Sequence, residues 1–150
     1  MPETAAEEGI AMRFDIIRPG NTFDAHRILR LAVEHDKQDA LKERLLRAYL
    51  CEGALMSDPE TLVSLASSVE LDPDLVQSVL SSDLYADDVR TDEARAAELG
   101  AHGVPFFVIG ERFGVSGAQP AEAFLQVLER VGELEEPEHS EGDACQPGHC

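Results

Sequence analysis

Cationic residues are scarce in this chain: twelve Lys and Arg stand against thirty Asp and Glu, for a formal charge of −18 over 150 residues. That balance excludes nucleic acid as a partner, because phosphates are bound by exchanging counterions for Lys and Arg. It excludes anionic membrane surfaces on the same ground. No stretch of about 18 apolar residues occurs, so no membrane-spanning helix is expected. The opening Met1-Pro2-Glu3-Thr4 lacks both a basic start and an apolar core of the secretory kind, so a cytoplasmic location is expected. Cysteine is sparse as well. Three are too few for a disulfide scaffold, and no Cys-x-x-Cys occurs.

What is present is an ordinary globular composition, 43% hydrophobic and 28% charged. Six of the acids fall in the last eighteen residues (Glu133, Glu135, Glu136, Glu138, Glu141, Asp143) with no Lys or Arg among them. This segment, 133–150, reads as a disordered acidic tail. Residues 1–20 read as an irregular lead-in, with at most a frayed helix end.

From Asn21 or Thr22, either of which offers a capping oxygen, the pattern turns helical. Ala25, Ile28, Leu29 and Ala32 keep the i, i+3, i+4, i+7 spacing of a half-buried helix. A second helix is expected over 38–51, with Leu41, Leu45 and Ala48 on one stripe, widened by Leu46 and Leu50, and a Glu43–Arg47 pair outside. Gly53 is its stop. Ser57-Asp58-Pro59 and Asp72-Pro73 each place a capping residue before a first-turn proline. The two helices they open carry Leu62, Leu65, Ala66 and Val69, then Leu75, Val76, Val79 and Leu80. A fifth helix, 83–99, has Tyr85, Val89, Ala96 and Leu99 inward, interrupted by Asp92, and ends at Gly100.

The period then changes. Phe106-Phe107-Val108-Ile109 is apolar and too short for a helix, so a buried strand is expected. Gly110-Glu111 is a two-residue hairpin signal of the Gly-X kind, with 112–115 returning. Pro120 opens a last helix with Ala121, Phe124, Leu125 and Leu128 inward. Two strands alone make a marginal sheet.

Three stretches, in this order, carry a resemblance: Pro19-Gly20-Asn21-Thr22-Phe23-Asp24-Ala25-His26-Arg27, Gly103-Val104-Pro105-Phe106-Phe107-Val108, and Gly114-Val115-Ser116-Gly117-Ala118-Gln119-Pro120. Over about residues 5–131 the chain resembles the DsbA family of the thioredoxin-like superfamily, and within it the FrnE-like branch of dithiol–disulfide isomerases. The resemblance implies an α/β fold: an incomplete thioredoxin-like domain, hairpin plus C-terminal helix, preceded by an all-helical insertion. The implied organisation is a lead-in (1–20), the helical insertion (21–100), the ββα part (101–132) and the tail (133–150). It implies that Pro105 is the cis-proline preceding a strand and that Val104 and Pro105 form a substrate-binding rim where an incoming polypeptide pairs as an added strand. It implies a redox function without cofactor, on protein or small-thiol substrates, glutathione among them.

The family's catalytic Cys-x-x-Cys, whose first thiol is activated at a helix N-terminus, has no counterpart here. Little intrinsic activity is therefore expected of the chain as it stands.

Other groups in the chain also invite chemistry. Cys145 and Cys150 flank Gln146-Pro147-Gly148-His149, and Pro-Gly is a turn signal. An auxiliary catalytic redox pair is one reading. A Zn or Cu(I) site using Cys145, His149 and Cys150, with His139 or Asp143, is a second, off the standard zinc spacing. A solvated tail is the third. Cys51 is expected to be a buried small hydrophobe, and His26 a surface or packing residue. His102 would lie near the family's active site. Two further functions stand beside thiol exchange. One is a glutathione-dependent transferase or isomerase, resembling the kappa-class and 2-hydroxychromene-2-carboxylate isomerase enzymes. The other is a non-catalytic polypeptide-binding module, with homodimerisation through exposed strand edges as its corollary.

Overall fold

The computed structural model describes residues 2–135; the tail cysteines Cys145 and Cys150, with His139, Asp143 and His149, lie outside them. Seven helices and two strands follow one another among the described residues: α1 (Pro2–Glu7), α2 (Phe23–Glu34), α3 (Gln38–Glu52), α4 (Pro59–Ser67), α5 (Pro73–Leu80), α6 (Ala86–Glu98), β1 (Phe106–Ile109), β2 (Phe113–Ser116) and α7 (Ala121–Glu135). The chain divides into two units, Met1–Ala94 and Arg95–Cys150, the division falling inside α6.

In the first unit α2, α3, α4 and α5 pack on one another. Their apolar stripes meet in a core where Ile28, Leu41, Leu62, Val76 and Val79 are fully buried. Each such side chain contributes about 1.5–3 kcal/mol of transfer free energy. Helix starts follow the local chemistry. The Asp58 carboxylate accepts from the Thr61 N–H at 3.0 Å, the Asp72 carboxylate accepts from the Asp74 N–H at 2.9 Å, and a proline opens each helix. Gly53 ends α3 in the left-handed region at φ 70°. A Cβ there would meet the Ile16 carbonyl oxygen at 2.8 Å, so the position is closed to side chains twice over.

Several expectations are corrected here. The lead-in contains a six-residue helix, α1, and its later part is tied down, the Arg13 N–H donating to the Leu50 carbonyl at 2.8 Å. Thr22 occupies the cap position of α2 without a side-chain bond. Asn21 takes the local role instead, its Oδ1 accepting from the Phe23 N–H at 2.8 Å. Leu46 is half exposed rather than part of the α3 stripe. Arg44, not Arg47, makes a described ion pair on that helix, with Glu52 at 2.9 Å. The interruption at Asp92 is accounted for by an ion pair to Arg30 of α2.

In the second unit β1 and β2 pair antiparallel, Phe106 opposite Ser116 and Ile109 opposite Phe113. Their link is longer than expected. Gly110 and Glu111 both have positive φ, 58° and 55°, and the Arg112 N–H donates back to the Ile109 carbonyl at 3.3 Å. That is the pattern of a type I′ turn, with Arg112 as an extra residue before β2. Glycine at 110 is needed by contact too, since a Cβ would fall 2.8 Å from Val131 of α7. Phe107 meets Phe124 of α7 edge to face, centroids 4.8 Å apart, so one side of the hairpin is covered by α7. The other side carries Phe106, Val108 and Gly114. No residue described in this unit beyond Arg95 is fully buried. Ala96 and Leu99, expected inward on α6, are exposed, as are Leu125 and Leu128 on α7.

Candidate functional site

The loop between α6 and β1 is fixed at both ends by backbone bonds. At the first end, the Gly100 N–H donates to the Ala97 carbonyl (3.0 Å) and the Ala101 N–H to the Ala96 carbonyl (2.9 Å), with Gly100 at φ 80°. This is a Schellman closure, which only a residue free to adopt positive φ completes cheaply. At the other end, the Gly117 N–H donates to the Pro105 carbonyl at 2.9 Å. Gln119 holds the turn after β2, its side-chain amide donating to the Ser116 carbonyl at 2.8 Å.

These bonds bring the second and third of the stretches quoted above side by side, 103–108 against 114–120. Between the fixed ends, His102, Gly103, Val104 and Pro105 are all exposed. The Val104–Pro105 peptide is cis, and Val104 is 96% exposed. A branched aliphatic side chain presented this fully to solvent, on a loop pinned at both ends, offers an apolar contact to an extended polypeptide. Among the described residues, no strand pairs with the outer edge of β1 beside it.

The remaining candidates are placed separately. Cys51 is free and half buried, not sealed in the core; it lines an apolar groove of ≈ 310 Å³ with Ile10, Met12, Leu46 and Leu50. His26 is exposed and lines a polar depression of ≈ 420 Å³ with Asn21, Thr22, Phe23, Arg90 and Glu93. The Arg90 guanidinium there lies over the Phe23 ring, 5.4 Å from its centroid. No group of three or more potential metal ligands occurs among the described residues.

One residue that sequence reasoning passed over organises the helical unit. Arg27 of α2 is 4% exposed. Its Nε donates to the Leu84 carbonyl at 2.9 Å, and Nη1 donates to the Asp24 carboxylate at 2.8 Å. Nη2 donates to the Val79 and Ser82 carbonyls. The fork thus satisfies carbonyls at the C-terminal end of α5 and just beyond it, the end where the helix dipole favours a cation. Nearby Tyr85 takes positive φ, 62°. Burial, then the Glu34 carboxylate, raise its phenol above the ordinary range. The one available signal for Arg27 was Leu31, four residues on, which widens the buried face of α2 to include position 27.

A scan of protein families places residues 1–129 in the DSBA-like thioredoxin domain. The chain belongs to that family. Among solved structures it is similar to a probable DsbA oxidoreductase from Streptomyces coelicolor, with 43% sequence identity and a TM-score of 0.80. The match covers 99% of this chain and 64% of that protein, so the chain spans less than two thirds of its relative's length. No curated protein matches the chain. The α/β fold, mostly helical with a two-stranded sheet, is that of a DsbA-like thioredoxin domain with a helical insertion.

Proposed function

We propose that this chain contributes the substrate-facing loop of a DsbA-like thiol–disulfide oxidoreductase of the isomerase type, acting on polypeptide thiols. The observation that carries the reading is Val104, almost wholly exposed on a loop pinned at Gly100 and Gly117, in a chain of the DsbA family. An extended substrate pairs along the open edge and packs on Val104, backbone bonds giving affinity and the side-chain contact selectivity. The thiolate that attacks a disulfide sulfur is not supplied by any Cys-x-x-Cys of these residues, so the chain by itself binds substrate and exchanges slowly. Cys145 and Cys150 are an auxiliary dithiol in this scheme. Two thiols become one disulfide, and the partner disulfide takes up the electron pair and the two protons to become two thiols.

The test is a titration of the isotopically labelled chain with a reduced cysteine-containing peptide. Shifts are expected at 102–105 and 116–119, and Val104→Asp weakens binding at least tenfold. Insulin reduction by the chain alone stays near the uncatalysed rate. Shifts confined to the helical unit, or undiminished binding by the Val104 variant, would sink the reading.

A further inference from the structure

We infer that the exposed groove between α4 and α5 is a docking site for a cationic polypeptide segment that carries aliphatic side chains among Lys or Arg residues. The inference rests on the helical unit alone and holds or fails independently of the exchange chemistry proposed above.

The groove measures ≈ 500 Å³, within the span of about 300–1,000 Å³ typical of ligand-binding clefts. Its floor is apolar: Val63 of α4 and Leu80 of α5 are half buried and pack against the core. Glu60 and Ser64 on one wall, and Gln77 and Ser81 on the other, are exposed. The Ser81 hydroxyl donates its proton to the Gln77 carbonyl at 2.8 Å, so towards the groove its oxygen is left as an acceptor. α4 and α5 have nine and eight residues. At a rise of 1.5 Å per residue the trough between them runs for roughly 12 Å. That is the length of about two helical turns, and apolar anchors three or four residues apart are how a helix seats in such a trough.

Charge selects the occupant. Between Arg47 and Arg90 the chain holds nine Asp and Glu and no Lys, Arg or His, and both groove helices fall inside that stretch. Some of these carboxylates are already committed, Asp58 to the Thr61 N–H and Glu70 to Lys37. Three beside the groove are not. Glu60 lines it, Asp74 stands three residues before Gln77 and so on the same face of α5, and Asp83 follows Ser81 by two residues. None of the three enters an ion pair among the described residues. Uncompensated carboxylates around an apolar floor attract a cationic segment and repel an acidic one. A second copy of the chain is the poorer occupant, because each carries a formal charge of −18 and like charges oppose association.

The experiment titrates the isotopically labelled 150-residue chain with a synthetic peptide in which two leucines, four residues apart, are flanked by lysines. Shifts are expected at 59–64 and 77–81. Glu60→Lys with Gln77→Lys should weaken binding at least tenfold. Glu122→Lys with Gln126→Lys makes the same change of net charge at exposed positions of α7 and should weaken it less than threefold. Serines in place of the two peptide leucines should also cost at least tenfold. Val104→Asp should leave the binding unchanged, which separates this groove from the substrate-facing loop. Equal losses from the two lysine pairs, undiminished binding of the serine peptide, or loss of binding with Val104→Asp would each overturn the inference. So would shifts spread evenly over the acidic residues, or a self-associated chain whose groove resonances are already shifted before peptide is added. Should Glu60→Lys disturb α4, the shift map of the unmodified chain and the serine peptide decide the matter alone.

Discussion

The helical unit and the ββα unit are built from comparably apolar sequence but reach different degrees of closure. In the first, stripes from four helices converge, and fourteen residues form one buried cluster. In the second, a hairpin and one helix supply three surfaces where a closed core needs more, and the best-covered residues, Phe106, Ile109, Phe113 and Phe124 among them, stay half buried. Periodicity creates an apolar face; it does not supply the neighbour that covers it. Stability should therefore be held by the helical unit, while the apolar face left without a neighbour lies in the other.

The sharpest way to break that comparison is Arg27→Met. The guanidinium satisfies three carbonyls and the Asp24 carboxylate inside the helical unit. A buried acceptor left unpaired costs about 1–3 kcal/mol, and removing one side of a buried charged network costs about 3–5 kcal/mol. Urea unfolding followed by far-ultraviolet dichroism should show a loss in that range. Arg27→Lys should recover only part of it, because an ammonium cannot reproduce the planar fork. A loss below about 1 kcal/mol would mean that the carbonyls find water, and that the unit is less closed than its burial implies.

Next in size is a paired test across the two units. Ile28→Ala removes a fully buried side chain and should cost about 2–5 kcal/mol. Leu128→Ala, at 53% exposure, should cost no more than about 0.5 kcal/mol in the same chain. Equal costs in denaturant titration would show that α7 belongs to a cooperative core after all.

Much of the helical unit is written in short-range chemistry. The Asp-Pro starts at 58–59 and 72–73 and the glycine stops at 53 and 100 depend on residues within one turn, and they stand where sequence reading places them. Arg27 was not legible that way, because three of its acceptors lie 52 to 57 residues further along the chain. The hairpin link misled for a different reason. A Gly-X signal implies positive φ at the first central residue alone, whereas Glu111 adopts it too, against the Cβ clash that normally keeps such residues out. The 3.6 period of α7 gives a broad apolar arc that predicts Leu125 and Leu128 inward, but the hairpin reaches only one side of that arc and both stay exposed. Of the candidate site, Val104 and Pro105 were marked by resemblance rather than by any physical pattern. Their neighbour across the loop, Gly117, was part of the same resemblance, and its bond to the Pro105 carbonyl could not be read from spacing.

The smallest expected effect concerns acid. The Asp58 carboxyl caps α4, and hydrogen bonds from the Thr61 side chain and then its backbone N–H hold it below the usual carboxylate range. Glu70 is lowered in the same direction, chiefly by its hydrogen bond from Lys37. A group whose folded pKa is depressed stabilises the fold above its unfolded value, about 3.9 for Asp. That contribution fades as pH falls through the folded pKa. Melting of the helical unit should therefore not vary with pH through Asp58 near neutrality and should decline below about pH 4 as Asp58 is protonated. Asp58→Asn keeps a capping oxygen of nearly equal quality but removes the titration. Its melting temperature should match the parent at low pH more closely than at pH 7. A variant whose acid profile runs parallel to the parent's throughout would show that protonation of Asp58 plays no part in the acid unfolding of this unit.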